Sequence, residues 1–136
     1  MKFQTINPNR AIEDYLETIY ELSLKNSKVK VSNIAQALQI TKASVSQMLN
    51  KLAKGKYILY TKYKPIQLTE IGIKIGQEIH HKHQVLENFF DILSIPKEIQ
   101  LKDIHGIEHY LSTTTLTQIE KLNTKLSNLN IRIDAN

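Results

Sequence analysis

Three residues in the C-terminal third carry side chains of the kinds that bind metal ions. His105, Glu108 and His109 occur at positions i, i+3 and i+4. On a helix, this spacing brings two imidazoles and one carboxylate to the same face within about one turn. Imidazole nitrogens and carboxylate oxygens together form sites that suit Mn, Fe, Co or Zn. The triplet therefore indicates a divalent-metal site.

Two other stretches offer donors of the same kinds. Asp14 and Glu17 are three residues apart, so a helix would present both carboxylates on one side. His83 lies on an apolar helical stripe, and Glu87 follows one turn later. Glu87 could be a further ligand or could accept a hydrogen bond from a ligand imidazole. Each set also has an explanation without metal, because acidic pairs are common on surfaces and a histidine on an apolar face often packs in a core.

The triplet also matches the H-x-x-E-H motif of one class of metalloproteases. Gly106 weakens a helix inside that motif, and only 27 residues follow His109, with Glu120 as the sole Glu among them. Little sequence remains for a distant third ligand and a substrate cleft. A protease is therefore the third alternative, and we expect no enzymatic activity.

The charged residues are unevenly distributed along the chain, as are the five histidines, which all lie within residues 80–109. The 136 residues include 18 Lys+Arg and 13 Asp+Glu, for a net charge of +5. No Asp or Glu lies between Leu22 and Thr69, where nine lysines lie, so the rest of the chain carries −4. Such a block suits a polyanion such as DNA, although a solvated lysine-rich face has the same composition. The absence of Cys excludes disulfides, thiol nucleophiles and iron–sulfur ligation.

Hydrophobic periodicity places these residues on helices and two short strands. The predicted helices cover about 8–24, 32–38, 41–54, 72–95, 97–111 and 115–128, and the predicted strands about 57–61 and 66–69. Asn7–Pro8, Ser32 and Thr41 are the predicted helix starts. No stretch approaches the roughly 18 apolar residues of a membrane span, and residues 1–20 contain acids where a signal peptide would be apolar. We therefore expect a cytoplasmic protein with no membrane partner.

Two short helices in tandem, followed by a β-ribbon, outline a winged helix-turn-helix. Ala35 is small enough for close helix approach, and Gln39 occupies the turn position where Gly is usual. Hydroxyl, amide and ammonium groups would face DNA from the second helix and from the wing. The candidate DNA-binding residues are Thr41, Lys42, Ser44, Ser46, Gln47 and Lys51 on the helix and Lys62, Tyr63 and Lys64 in the wing.

Six motifs resemble the diphtheria toxin repressor family, in the order in which that family has them. They are EDYLETIY (13–20), VSNIAQAL (31–38), SVSQMLNKL (44–52), LTEIG (68–72), KHQVLENF (82–89) and GIEHYLS (106–112). The resemblance covers about residues 12–125 and is closest to the manganese-repressor branch, whose short members lack an SH3-like domain. It implies a homodimeric, metal-dependent transcriptional repressor of metal-uptake genes that binds a double-stranded DNA operator.

The resemblance also implies a ligand set and a domain organisation. The implied metal ligands are Asp14, Glu17, His83, Glu108 and His109, with His105 where the manganese branch has Glu and the iron branch has Cys. Imidazole there removes one negative charge and one bridging oxygen. We expect Mn or Fe(II), with Zn or Co possible in vitro, because nitrogen donors favour the later metals. Pro65 in the wing stands where relatives often have Gly.

We therefore predict a mainly α fold. A winged helix-turn-helix DNA-binding domain would cover residues 1–71, and an all-helical metal-binding and dimerisation domain would cover residues 72–136. The residues alone fit a monomer as well as a dimer. The main alternative is a winged-helix regulator that binds DNA without metal.

Overall fold

The structure is a computed structural model that describes residues 10–134. These residues form six helices and one two-stranded antiparallel sheet. In chain order the elements are α1 (Arg10–Lys25), α2 (Val31–Leu38), α3 (Lys42–Lys54), β1 (Ile58–Leu59), β2 (Gln67–Leu68), α4 (Glu70–Ile92), α5 (Lys97–Ile107) and α6 (Thr113–Asn128). This order confirms the predicted mainly α fold with an N-terminal winged helix-turn-helix. The predicted helix start at Asn7–Pro8 lies outside the described residues.

The described residues divide into two compact units, with the division between His80 and His81. We call them the N-terminal unit and the helical unit, and α4 contributes residues to both. The predicted boundary after residue 71 separates a DNA-binding domain from a metal-binding domain, whereas the N-terminal unit and the helical unit are defined by compactness. The predicted boundary therefore stays a prediction.

The core of the N-terminal unit joins α1, the two helices of the helix-turn-helix and the ribbon. Leu16, Ile34 and Leu49 contribute one apolar side chain from each of α1, α2 and α3, and all three are fully buried. Ile58 from β1 joins the same cluster at 2% exposure. These side chains follow the helical spacing of the sequence, so burial of apolar surface favours the packing of the three helices.

The turn between α2 and α3 accommodates Gln39 in a left-handed conformation, with φ 56°. The N–H of Ile40 donates to the carbonyl of Ala35 at 3.1 Å, which closes the end of α2. Thr41 then caps α3 by accepting from the N–H of Ser44 at 3.1 Å, as predicted. The predicted cap at Ser32 is wrong. The helix α2 begins at Val31, and Asn33 Oδ1 accepts from the N–H of Lys30 at 2.9 Å.

The two strands of the wing are shorter than the predicted 57–61 and 66–69. Only Ile58–Leu59 and Gln67–Leu68 pair as strands. Ile66 does not pair with β1, because its N–H donates to the carbonyl of Val29 at 2.8 Å. The wing tip is a turn in which the N–H of Lys64 donates to the carbonyl of Thr61 at 3.0 Å. Pro65 directly follows this turn.

A close helix contact in the N-terminal unit depends on Gly76 of α4. A Cβ added at this residue would lie 2.8 Å from the Cβ of Tyr20 and 2.9 Å from the carbonyl oxygen of Leu16. Real Cβ atoms do not approach other heavy atoms so closely. The glycine therefore lets the backbone of α4 approach the backbone of α1.

The helical unit has a smaller core that includes Val85, Leu86, Ile104 and Leu116. Two buried amide side chains join its elements. Gln100, 2% exposed, donates to the carbonyl of Ile95 at 2.8 Å, which ties α5 to the turn before it. Asn123 Nδ2 of α6 donates to the carbonyl of Val85 at 3.0 Å. No helix within residues 10–134 combines the length and apolarity that crossing a membrane requires.

Candidate metal centre and nucleic-acid interface

Glu108 is the centre of the metal-ligand candidates in the helical unit. Its side chain is 1% exposed and has an imidazole beside each oxygen. His83 Nδ1 lies 3.1 Å from Oε2, and His109 Nε2 lies 3.5 Å from Oε1. A buried carboxylate is costly unless charge or hydrogen bonds compensate it. The two imidazoles supply part of that compensation and leave a compact set of nitrogen and oxygen donors.

The backbone around Glu108 explains how this set forms. The helix α5 ends at Ile107 rather than at the predicted residue 111. Ser112 accepts from the N–H of Thr115 at 3.1 Å and caps α6 with φ −69° and ψ 156°, so the chain leaves helical geometry before it. Glu108 keeps helical angles, φ −59° and ψ −30°, and its N–H donates to the carbonyl of Ile104 at 2.9 Å. The side-chain spacing predicted for the H-x-x-E-H triplet therefore survives at Glu108.

His105 also belongs to this group. One of its ring nitrogens lies within 4.8 Å of a Glu108 carboxylate oxygen, and its ring centroid is 6.3 Å from that of His109. Unlike Glu108, His105 is exposed. The structure therefore brings together four of the six predicted ligands in the helical unit. One carboxylate and three imidazoles form a mixed donor set that fits a divalent transition metal.

The other two predicted ligands lie on α1 in the N-terminal unit. Glu17 is 9% exposed and Asp14 is partly buried, one helical turn away. Carboxylates on the half-buried side of a helix are unusual, because Asp and Glu rarely leave water without a partner. Their assignment as ligands stays a prediction.

Glu87 lies beside His83, and Lys97 lies beside Glu87. Glu87 Oε2 lies 3.3 Å from His83 Nε2, and Glu87 Oε1 lies 3.2 Å from Lys97 Nζ. The sequence pattern indicated Glu87 as a candidate in the metal site but gave no indication of Lys97. No periodic pattern joins residues ten apart across a turn, so only the tertiary structure shows this ion pair.

The candidate DNA contacts are mostly at the surface of the N-terminal unit. On α3 and its cap, Ser46 is half-buried, and Thr41, Lys42, Ser44, Gln47 and Lys51 are exposed. The Thr41 and Ser44 side chains hydrogen-bond each other at 3.0 Å, so both also serve the cap.

The wing tip carries the other three candidates, Lys62, Tyr63 and Lys64. All three are exposed, and Tyr63 reaches 92% exposure at φ 68°. Lys62 Nζ lies 5.1 Å from the centroid of the Tyr63 ring. This clustering of cations and one aromatic ring suits contact with a phosphate backbone.

Two family models match successive parts of the chain. Residues 9–66 match the iron dependent repressor N-terminal DNA binding domain. Residues 69–128 match the iron dependent repressor metal binding and dimerisation domain. The two matches together cover most of the sequence.

Individual relatives agree with these matches. The HTH-type transcriptional regulator MntR of Geobacillus kaustophilus (strain HTA426) is 39% identical over 115 residues, which cover 85% of this chain and 82% of that protein. The structure of the manganese regulator SloR matches with a TM-score of 0.71 and 27% identity, covering 83% of this chain and 53% of that one. The crystal structure of ScaR with bound Zn2+ matches with a TM-score of 0.65 and 29% identity, covering 85% of this chain and 53% of that one.

The chain therefore spans about half the length of these two solved structures. With both family models matched in order and a relative 39% identical over 85% of this chain, it belongs to the iron-dependent repressor family of metal-dependent transcriptional repressors.

Proposed function

We propose that this chain represses metal-uptake genes by binding their operators as a homodimer when a divalent metal is bound. One observation carries the proposal. A fully buried carboxylate, Glu108, lies between the imidazoles of His83 and His109 in a chain that also has a winged helix-turn-helix. A divalent cation supplies the positive charge that such a carboxylate lacks. A metal would bind these histidines through their neutral imidazoles.

The proposed ligand set contains six residues, supported by two kinds of argument. Four of them, His83, His105, Glu108 and His109, are grouped within the helical unit. The α1 carboxylates of Asp14 and Glu17 are included because of the family resemblance. Ligation by residues of both units would restrict their relative motion and so favour one spacing of the recognition helices. In a dimer that spacing must match about one turn of DNA, ~34 Å.

Manganese or Fe(II) is the proposed physiological metal, and Zn or Co is expected to bind in vitro. The relatives described as a manganese regulator and as a zinc-bound protein support both parts. The imidazole of His105 favours the later metals compared with a carboxylate at that position. We also propose that the H-x-x-E-H triplet serves metal sensing and not peptide hydrolysis.

The proposed domains follow from these roles. Residues 1–71 would read DNA through α3 and the wing, and residues 72–136 would bind metal and dimerise. A repressor acts where the genome lies, so we place the protein in the cytoplasm.

The deciding experiment measures DNA binding with and without metal. Duplexes are selected from a random pool with the Mn2+-loaded chain and then titrated by fluorescence anisotropy with Mn2+, Fe2+, Co2+, Zn2+ or EDTA. We expect binding with metal and loss of binding with EDTA. Equal binding in EDTA would favour the metal-independent regulator, and cleavage of a peptide library that Glu108→Ala abolishes would favour the protease.

A further inference from the structure

We propose that Lys97 and Glu87 orient His83 as a metal ligand. In this arrangement Glu87 accepts the Nε2–H of His83 and leaves Nδ1 as the nitrogen offered to the metal. Lys97 is then a positioning residue that acts through Glu87. The inference rests on the proposed metal site and adds a specific role for two residues outside its ligand set.

The two nitrogens of His83 face two different carboxylates. Nδ1 lies 3.1 Å from Glu108 Oε2, and Nε2 lies 3.3 Å from Glu87 Oε2. A neutral imidazole carries one N–H and one lone pair, and the hydrogen bond made by one nitrogen sets the role of the other. Since Glu108 belongs to the buried donor group, Nδ1 is the nitrogen on the side of that group. The proton therefore belongs on Nε2, where Glu87 accepts it.

The two oxygens of Glu87 have separate partners. Oε2 faces His83, while Oε1 lies 3.2 Å from Lys97 Nζ. A metal ion that used Glu87 as a ligand would have to compete with an ammonium group already beside it. This division of partners favours a hydrogen-bond acceptor over a ligand, which the sequence left open.

Lys97 is itself held in place. Its Nζ lies 3.0 Å from Asp91 Oδ1 and 3.5 Å from Gln100 Oε1. Gln100 is buried, and its Nε2 donates to Asp91 Oδ1 at 2.8 Å, so Asp91 is fixed as well. The hydrogen bond to Asp91 raises the pKa of Lys97, so its ammonium form is retained.

The position of Lys97 in the chain also requires an explanation. It is the first residue of α5, where the helix dipole disfavours a positive charge. The carboxylates of Glu87 and Asp91 offset that cost. The closest charged partners of this lysine therefore lie on α4.

The experiment uses the full chain loaded with diamagnetic Zn2+. Long-range 1H–15N correlation spectra of 15N-histidine protein report which nitrogen of each ring is protonated, and a His83→Asn variant assigns the His83 signals. We expect the proton on Nε2 and the metal on Nδ1. Zn2+ affinity is measured in parallel by competition with a chromophoric chelator.

The variant Lys97→Ala distinguishes two possible roles of Glu87, hydrogen-bond acceptor and metal ligand. The two roles predict opposite changes in Zn2+ affinity. If Lys97 orients Glu87, the variant binds Zn2+ about 10-fold more weakly, at the lower end of what loss of an outer hydrogen-bond partner costs. If Glu87 is a ligand, removal of a competing cation makes binding tighter. Lys97→Arg keeps a cation and should restore the affinity. Lys102→Ala, at an exposed lysine on the same helix, is the matched control and should leave the Zn2+ affinity and the His83 signals unchanged.

Several outcomes overturn the proposal. These are tighter binding by Lys97→Ala, an unchanged affinity in that variant, or a His83 proton on Nδ1 in the Zn2+-loaded wild type. If Lys97→Ala does not fold, Lys97→Gln tests the same claim, because it removes the cation, keeps most of the side chain and should also lower Zn2+ affinity. A wild-type chain that binds no Zn2+ or Mn2+ would instead refute the proposed function.

Discussion

Glu108 shows how much of the site a single residue carries. Its carboxylate is 1% exposed and contacts His83 across the helical unit and His109 next to it in the chain. The spacing of His105, Glu108 and His109 predicted their grouping because helical geometry is local. The approach of His83 to Glu108 depends on how α4 packs against α5, which the sequence alone does not reveal.

Glu108→Gln tests the proposed ligand role directly. The amide has almost the same shape but lacks the charge and one acceptor oxygen. We expect a larger loss of Mn2+ affinity than the roughly 10- to 100-fold that is typical for residues behind the ligands. Isothermal titration calorimetry measures it. Glu98→Gln, at an exposed carboxylate on the preceding helix α5, is the control and should bind as the wild type does.

Asp91 gives a pH-dependent prediction. The hydrogen bond from Gln100, followed by the contact with Lys97, lowers the pKa of Asp91 below its ordinary value of 3.8. A carboxyl whose pKa is lower in the folded state stabilises the fold above the unfolded pKa, and this contribution disappears as pH falls through the folded value. Asp91→Asn should therefore lower the urea midpoint at pH 7, with a smaller difference near pH 3.

An equal difference in urea midpoint at both pH values would contradict this account of Asp91. Far-UV circular dichroism is a sufficient readout, because α4 and α5 both contribute to the helical signal.

At the scale of elements, the order of helices and strands follows from the sequence while their ends do not. Apolar spacing and the Thr41 cap predicted α3 closely. The helix α5 ends at Ile107, earlier than predicted, and a turn at residues 108–110 precedes the Ser112 cap of the next helix. The ribbon is shorter because Ile66 pairs with Val29, which is distant in sequence. The predicted end of a helix or strand is wrong where a turn, a cap or a long-range hydrogen bond overrides the local pattern.

Two glycines in helices give opposite predictions for the same substitution. Gly76→Ala places a Cβ 2.9 Å from the carbonyl oxygen of Leu16, a backbone atom that cannot move easily. We expect a loss of about 1–3 kcal/mol in the free energy of unfolding, as for overpacked cores. Gly106→Ala meets nothing within 4 Å, so we expect a gain of about 0.5–1 kcal/mol from the helix preference of Ala.

Thermal and urea unfolding of both glycine variants measure this contrast. A stabilised Gly76→Ala variant would mean that α1 and α4 are not in close backbone contact. A destabilised Gly106→Ala variant would mean that this glycine has a role besides its conformation.

At the scale of the whole molecule, the separation of charge along the chain matches the separation of the two family models. The acid-free stretch between Leu22 and Thr69 lies almost entirely within the match to the DNA binding domain. All five histidines lie within the match to the metal binding and dimerisation domain. The composition of the chain predicted this division.

Two exposed residues of α3, Gln47 and Lys51, should respond differently to substitution. Lys51→Ala should weaken binding to all duplexes and reduce the slope of log affinity against log salt by about one, because one phosphate contact is lost. Gln47→Ala should reduce discrimination between duplexes and leave the slope unchanged. Anisotropy titrations at several salt concentrations measure both. An equal loss of discrimination in the two variants would contradict this assignment of contacts.

The early end of α5 has a consequence for kinetics. Residues 108–110 form a turn after α5, where the N–H of Tyr110 donates to the carbonyl of Ile107, three residues back, at 2.9 Å. Amides at such a helix end open more easily than those of a helix interior, so we expect their hydrogen exchange to be fast in the metal-free protein. Metal binding by Glu108 and His109 would restrict the motion of this turn. The exchange of its amides would then slow at a lower metal concentration than the exchange of amides in the neighbouring helices. The backbone of residues 108–110 would thus be the earliest reporter of metal arrival.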